Sequence, residues 1–160
     1  MKQGLYLIAP ADGNIEKLIA AFNNAKRESP DALLFDPAGA APAGIAKFRD
    51  AVQGADVAFI VKDDIETALK TGADGVQVAY SPDIKKIRGK TDGIALGVMC
   101  ATRDEAMRAG ESGADYIGFD GENAAEMTRW WSELFTVPCV DFNLDAPSPA
   151  ADFKVAVLNG

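Results

Sequence analysis

Eight short runs of almost wholly apolar residues, separated by segments with helical patterning, constrain the fold of this chain more than any other feature. They lie at 5–9, 32–35, 57–61, 75–78, 94–99, 116–119, 138–142 and 153–158. A strand with one wet face alternates apolar and polar side chains, whereas a strand covered on both faces reads as a continuous apolar run. The runs therefore predict parallel strands buried beneath helices. Behind Asn14, the residues Ile15, Leu18, Ile19 and Phe22 fall on one helical stripe. Pro42 opens a second helix carrying Ile45, Phe48 and Val52, and Ile65, Ala68 and Leu69 form a third that ends at Gly72. Ser81-Pro82 starts a fourth helix with Ile84 and Ile87, and Thr102-x-x-Glu105 is a capping box for a fifth. Asn123-x-x-Glu126 resembles another capping box for a sixth, which carries Met127, Trp130, Trp131 and Leu134.

The segment Thr71-Gly72-Ala73-Asp74-Gly75-Val76 recurs as Ser112-Gly113-Ala114-Asp115-Tyr116-Ile117. Both copies end a helix at Gly and enter a strand after Asp, so they mark alternate strands of one regular array. Eight strands and six helices predict a (β/α)8 TIM barrel, shortened, as a single domain over residues 1–160. Such barrels commonly run about 200 residues or more, and the 160 residues here fall short at the end. Only 143–152 separates the last two strands, where a parallel crossover usually needs about a dozen residues or a helix. Helices 7 and 8 are therefore expected to be reduced or absent. An open doubly wound sheet is the alternative, but no Gly-x-Gly-x-x-Gly follows the first strand.

Charge and composition exclude several functions. The 16 Lys+Arg against 24 Asp+Glu leave a net charge of −8, which argues against nucleic acid or an anionic membrane surface as a partner. No apolar run approaches the length of a membrane span, and Met1-Lys2-Gln3 leads straight into a strand rather than a signal peptide. Cys100 and Cys139 have no metal-ligand neighbours at zinc spacing, so a reducing, cytoplasmic location is expected. The chain has no histidine. That removes Ser-His-Asp and Cys-His nucleophilic sites, His-ligated zinc and any histidine general base.

The central third carries a recognisable pattern. It comprises Val61-Lys62-Asp63, Gly72-Ala73-Asp74-Gly75-Val76-Gln77, Gly97-Val98-Met99 and Gly113-Ala114-Asp115-Tyr116-Ile117-Gly118-Phe119, with Leu5-Tyr6-Leu7-Ile8 as the first strand. In order and spacing this resembles the thiamine-phosphate synthase family, most closely from about residue 57 to 119. The resemblance implies a (β/α)8 barrel and a transferase of thiamine biosynthesis. Such an enzyme joins hydroxymethylpyrimidine diphosphate to thiazole phosphate and releases pyrophosphate with Mg²⁺. The chemistry it implies is a dissociating pyrimidine cation stabilised by metal and surroundings.

Carried over residue by residue, the resemblance makes Asp63 the first metal ligand, with Asp83 the counterpart of the second, displaced one residue by Pro82. Gln77, Tyr80, Met99, Asp36 and Asp120 become the substrate-binding candidates at the barrel mouth. The chain also departs from the family pattern. Lys62 replaces Asn, Gln77 replaces His, and Met99 replaces a phosphate-contacting Ser. The Gln-x-Arg-x-Lys of strand two has no counterpart at 33–37, the Thr-rich loop with its Lys is missing at 120–123, and Phe142-Asn143-Leu144 stands where Gly-Gly is expected. Basic and Gly-rich anion sites have thus become acidic or apolar, with Asp36, Asp63, Asp64, Asp120 and Asp141 expected around the mouth. The expectation is a degraded active site with little or no synthase activity; a non-catalytic barrel that binds a small molecule or a partner is the alternative.

The residue types leave other roles open. Each mouth aspartate can be a ligand or a helix cap. Lys62 can be a Schiff-base lysine or the partner of Asp36 or Asp63 in a salt bridge. A barrel without its last helices leaves strands seven and eight short of cover. Val137, Val140, Val155, Val157 and Leu158 are then expected to be bare, and Trp130 and Trp131 to border the gap, which predicts a homodimer.

Overall fold

The computed structural model describes residues 3–10, 14–145 and 147–158. Strands β1 (Gly4–Ile8), β2 (Ala32–Phe35), β3 (Ala58–Lys62), β4 (Gly75–Ala79), β5 (Ala95–Met99), β6 (Tyr116–Phe119), β7 (Cys139–Asp141) and β8 (Phe153–Val157) are joined by α1 (Ile15–Ala25), α2 (Pro42–Gln53), α3 (Ile65–Lys70), α4 (Ile84–Lys90), α5 (Arg103–Glu111) and α6 (Ala124–Leu134). The strands pair in chain order, all parallel, and β8 pairs with β1 to close a barrel. Every expected strand forms, within a residue or two at each end.

Two apolar layers follow from period-2 alternation. Outward side chains such as Phe59, Val76, Leu96 and Ile117 pack with Phe22, Phe48 and Trp131 of the helices, all fully buried. Inward ones, including Tyr6, Leu34, Ile60, Val140 and Val155, form a separate cluster in the lumen. A glycine makes room for one of the two inward tyrosines: a Cβ on Gly97 would collide with the ring of Tyr116.

The Gly-Ala-Asp turns belong to a wider device at the N-terminal face. Asp31, Asp74, Asp115 and Asp152 each precede an even-numbered strand. Each carboxylate accepts the backbone N–H of one residue on the preceding odd strand: Leu5 at 2.9 Å, Phe59 at 2.8 Å, Leu96 at 2.7 Å and Cys139 at 2.8 Å. Each aspartate returns its own N–H to the carbonyl of that same residue. Four copies of one clamp fasten the barrel in pairs of strands, on the face that concerns stability.

Several local expectations need correction. Asn14 and Thr102 cap their helices through their side chains, at Lys17 N and Glu105 N. Asn123 does not, because it is itself helical in φ/ψ and its side chain cannot reach back. Helix α4 begins after Asp83, and Ser81 braces the preceding turn by accepting the N–H of Asp83.

Among the described residues no helix lies between β7 and β8 or after β8. The connection folds back over the barrel instead. Asp141 is buried and accepts the N–H groups of Asn143 and Ser148, while Gln3 donates its amide to the carbonyls of Ser148 and Ala151. Strands seven and eight are therefore not bare. Val140 and Val155 point into the lumen, Leu158 is 3% exposed, and only Val137 and Val157 remain half-buried.

Candidate ligand site at the barrel mouth

At the C-terminal ends of the strands the sequence turns polar, and the fold gathers those residues round one opening. Ala58 and Ile60 face the lumen, so alternation turns Lys62 toward the mouth, where it is exposed. Asp63 follows in the left-handed region, with φ 63°. Its N–H is given to the carbonyl of Gln77 and the next N–H, of Asp64, to the carbonyl of Lys62, both at 2.8 Å. This tight reversal holds a non-glycine residue in a strained conformation at the rim.

Three of the five expected mouth carboxylates are engaged by their own loops and helix ends. Asp64 caps α3, accepting the N–H of Thr67 at 2.9 Å and its hydroxyl at 2.7 Å; these bonds, the backbone one foremost, hold its carboxyl below the usual range. Asp36 accepts the N–H of Ala38 at 3.0 Å and shapes its own loop. Asp141 is occupied inside the β7–β8 connection and is not at the mouth as a free group. The carboxylates of Asp63, Asp120 and Asp83 accept no hydrogen bond among the described residues, although Asp83 sits at the N-cap position of α4. The salt bridge expected between Lys62 and Asp36 or Asp63 does not form. Asp36, Lys62, Asp63 and Asp64 line an open cleft of about 530 Å³ with Pro37, Ala38 and Ile65.

Deeper on the same wall lies Gln77, the register partner of Lys62. Gln77 is 3% exposed. Its Oε1 accepts the hydroxyl of Tyr116 at 2.7 Å, and the hydroxyl of Tyr6 lies 2.6 Å from that of Tyr116. Burial pushes both phenols above the ordinary tyrosine range, offset in Tyr6 by its bond to Tyr116. Met99 is half-buried and lies with Phe142 over Gly118, where a Cβ would meet the sulfur and the ring. Tyr80 is placed differently: its side chain packs with the helix-side cluster. Across the opening, Asn143 ties the β6 and β7 loops by accepting from Gly121 N and donating to Gly121 O.

The site offers hard oxygen donors but no thiolate. Burial pushes the thiol of Cys100 up to about 12 and that of Cys139 up to about 11. Among the described residues no group of three or more His, Cys, Asp or Glu side chains is placed to hold a metal. The two tyrosines are the site residues that spacing alone did not single out. Tyr6 occupies an inward position in an apolar run, and Tyr116 follows the aspartate of a structural turn, so each reads as core.

The sequence profile of the family described as thiamine monophosphate synthase matches residues 5–140. A thiamine-phosphate synthase of Erythrobacter litoralis is 34% identical over 158 residues, covering 85% of this chain and 74% of that protein. One of Rhodospirillum centenum is 38% identical over 108 residues, covering 58% of this chain and 51% of that protein. Among solved structures, a thiamine phosphate pyrophosphorylase from Pyrococcus furiosus superposes with a TM-score of 0.74 at 20% identity, covering 96% of this chain and 85% of that one. A 3-dehydroquinate dehydratase from Geobacillus kaustophilus also reaches 0.74, at 13% identity, covering 99% and 84%. Identities this low speak for the barrel alone. The match over residues 5–140, together with the Erythrobacter relative, is what assigns the lineage: this chain belongs to the thiamine monophosphate synthase family.

Proposed function

We propose that the barrel mouth binds a pyrimidine or thiazole phosphate together with Mg²⁺, and that the chain forms thiamine phosphate slowly or not at all. The observation that carries this reading is the lining of the cleft. It holds one cation, Lys62, against three carboxylates, Asp36, Asp63 and Asp64. A pyrophosphate leaving group needs converging Lys/Arg or free backbone N–H groups, and this lining supplies little of either. Gln77, Met99 and Asp120 complete the substrate-binding set, and Tyr80, turned to the helix side, stays outside it.

The donor chemistry fits the implied metal. Asp63 and Asp83 are carboxylates with no hydrogen-bond donor engaged among the described residues, and Mg²⁺ prefers a few hard oxygens and retained waters. Bound there, the ion would neutralise phosphate charge. Around it, Lys62 supplies a second positive charge, Asp36 and Asp64 keep the two flanking loops in place, and Met99 and Phe142 give an apolar wall that excludes water from a flat ring. Self-association in the cytoplasm belongs to the same proposal. It now rests on the exposed apolar residues Leu134, Phe135 and Leu144, at 65%, 36% and 55%, and no longer on bare strands.

The test is calorimetric titration of hydroxymethylpyrimidine phosphate with and without Mg²⁺. The wild-type chain should bind it more tightly with the metal, and Asp63→Ala should lose that enhancement. An enhancement that survives in Asp63→Ala removes Asp63 from the site.

A further inference from the structure

The amide of Gln77 is held at one end only. Tyr116 lies 2.7 Å from Oε1, Tyr6 lies 2.6 Å from the Tyr116 hydroxyl, and Tyr6 is 3.4 Å from the same Oε1. Two hydroxyl hydrogens and one amide must be shared among three polar heads, so the direction of donation can be worked out. With the amide oxygen turned to the tyrosines, Tyr116 donates to Oε1 and Tyr6 donates to the Tyr116 oxygen. Both hydrogens are then placed. With the amide turned over, Nε2 donates to Tyr116, Tyr116 donates to Tyr6, and the Tyr6 hydrogen finds no acceptor among the described residues. Tyr6 is 2% exposed, so water does not rescue that hydrogen, and a stranded buried donor is costly. The first arrangement is the stable one.

We propose that Tyr6 and Tyr116 are positioning residues that hold the Gln77 amide in this single orientation, so that Gln77 meets a ligand with its N–H donors and not with its acceptor oxygen. Nε2 has no acceptor among the described residues, and its strand neighbour Lys62, exposed at the mouth, is a donor as well. The β3–β4 wall is thus a donor wall inside a rim of carboxylates. The ligand it fits inserts an acceptor edge, an unprotonated ring nitrogen or a carbonyl oxygen. An edge that offers only N–H leaves donors facing donors and is rejected, because unpaired buried polar groups discriminate strongly. This inference rests on reading the mouth as a ligand site and adds the polarity that the ligand must have.

Two measurements test it separately. The first uses the free protein and NMR of the glutamine side chains, of which there are three, Gln3, Gln53 and Gln77; Gln77 is identified by its absence in Gln77→Leu. Tyr116→Phe should move the Gln77 Cδ carbonyl resonance and leave the Nε2 hydrogens nearly unmoved. Tyr6→Phe should do the same more weakly, and it serves alone where Tyr116→Phe does not fold. A change confined to the Nε2 hydrogens overturns the orientation. The second measurement titrates hydroxymethylpyrimidine phosphate as the probe. The Nε2 hydrogens should shift on binding, and Gln77→Glu, which keeps the shape and removes the donors, should bind at least tenfold more weakly. Equal affinity in Gln77→Glu overturns the donor role. Absence of binding by the wild-type chain contradicts the ligand class proposed above, while the resonance experiment still decides the orientation.

Discussion

The Asp115 carboxylate accepts the backbone N–H of Leu96 at 2.7 Å, and the N–H of Asp115 returns to the Leu96 carbonyl at 2.7 Å. The pair is closed twice over, and Arg88 joins it at 2.8 Å from the same carboxylate oxygen. The same reciprocal clamp at Asp31, Asp74 and Asp152 divides the barrel into four two-strand units. A hydrogen bond to a charged group contributes about 1.5–3 kcal/mol net. Asp115→Ala should therefore lower stability by about 2 kcal/mol in urea unfolding, or roughly 4–8 °C in Tm for a chain of this size. Asp115→Asn keeps one acceptor oxygen and should lose less. Equal losses in the two variants would show that the N–H bond contributes nothing.

Asp63 offers a test of strain against function. Its φ of 63° suits glycine, so Asp63→Gly should leave the fold as stable as wild type or raise it by up to about 1 kcal/mol. In the same variant the Mg²⁺ enhancement of ligand binding should disappear. A clear fall in thermal stability would place Asp63 among the structural aspartates with Asp64.

The buried phenols predict the alkaline behaviour. The folded-state pKa values of Tyr6 and Tyr116 are raised, so the folded state favours the protonated phenols. Their contribution is complete below the unfolded tyrosine pKa of about 10 and is lost as pH rises above it. In a near-ultraviolet phenolate titration, two of the three tyrosines should ionise only as the protein unfolds. Reversible ionisation of all three in a folded protein would contradict the buried network.

Cys100 and Cys139 are both buried, with thiols pushed up to about 12 and about 11. Neither should react with a thiol reagent at neutral pH until the protein is denatured, when both should be labelled together. Rapid labelling of one thiol in the native protein would show that the barrel opens on that side.

The strands were legible because each is apolar on both faces, and the same property hid which face is which. Val140 and Val155 read as outer residues but fill the lumen. Capping was legible where the residue is extended, as at Thr102, and misleading where it is helical, as at Asn123. The mouth was harder for a chemical reason. An aspartate after a strand suits a ligand, a cap or a loop brace equally well, and only the fold assigned Asp64 to Thr67, Asp36 to Ala38 and Asp141 to Ser148. The Gln77–Tyr116–Tyr6 chain joins strands β4, β6 and β1, far apart in sequence, so no local pattern announces it.

Self-association through Leu134, Phe135 and Leu144 should appear in sedimentation at micromolar concentration as a species twice the 16.9 kDa mass. Leu134→Glu should return it to the monomer, since burying a charge in an apolar contact is costly. A wild-type chain that sediments as a monomer throughout contradicts the dimer.

The most direct test is a synthase assay with hydroxymethylpyrimidine diphosphate, thiazole phosphate and Mg²⁺, with formation of thiamine phosphate as the readout. Each contact to developing charge that such a site lacks costs about 10²-fold or more, so on the proposed reading, in which several are lost, turnover should fall far below ~1 s⁻¹ while the pyrimidine phosphate still binds. Turnover at ~1 s⁻¹ or above would contradict the account, because the lone Lys62 and the carboxylate rim would then be a working pyrophosphate site.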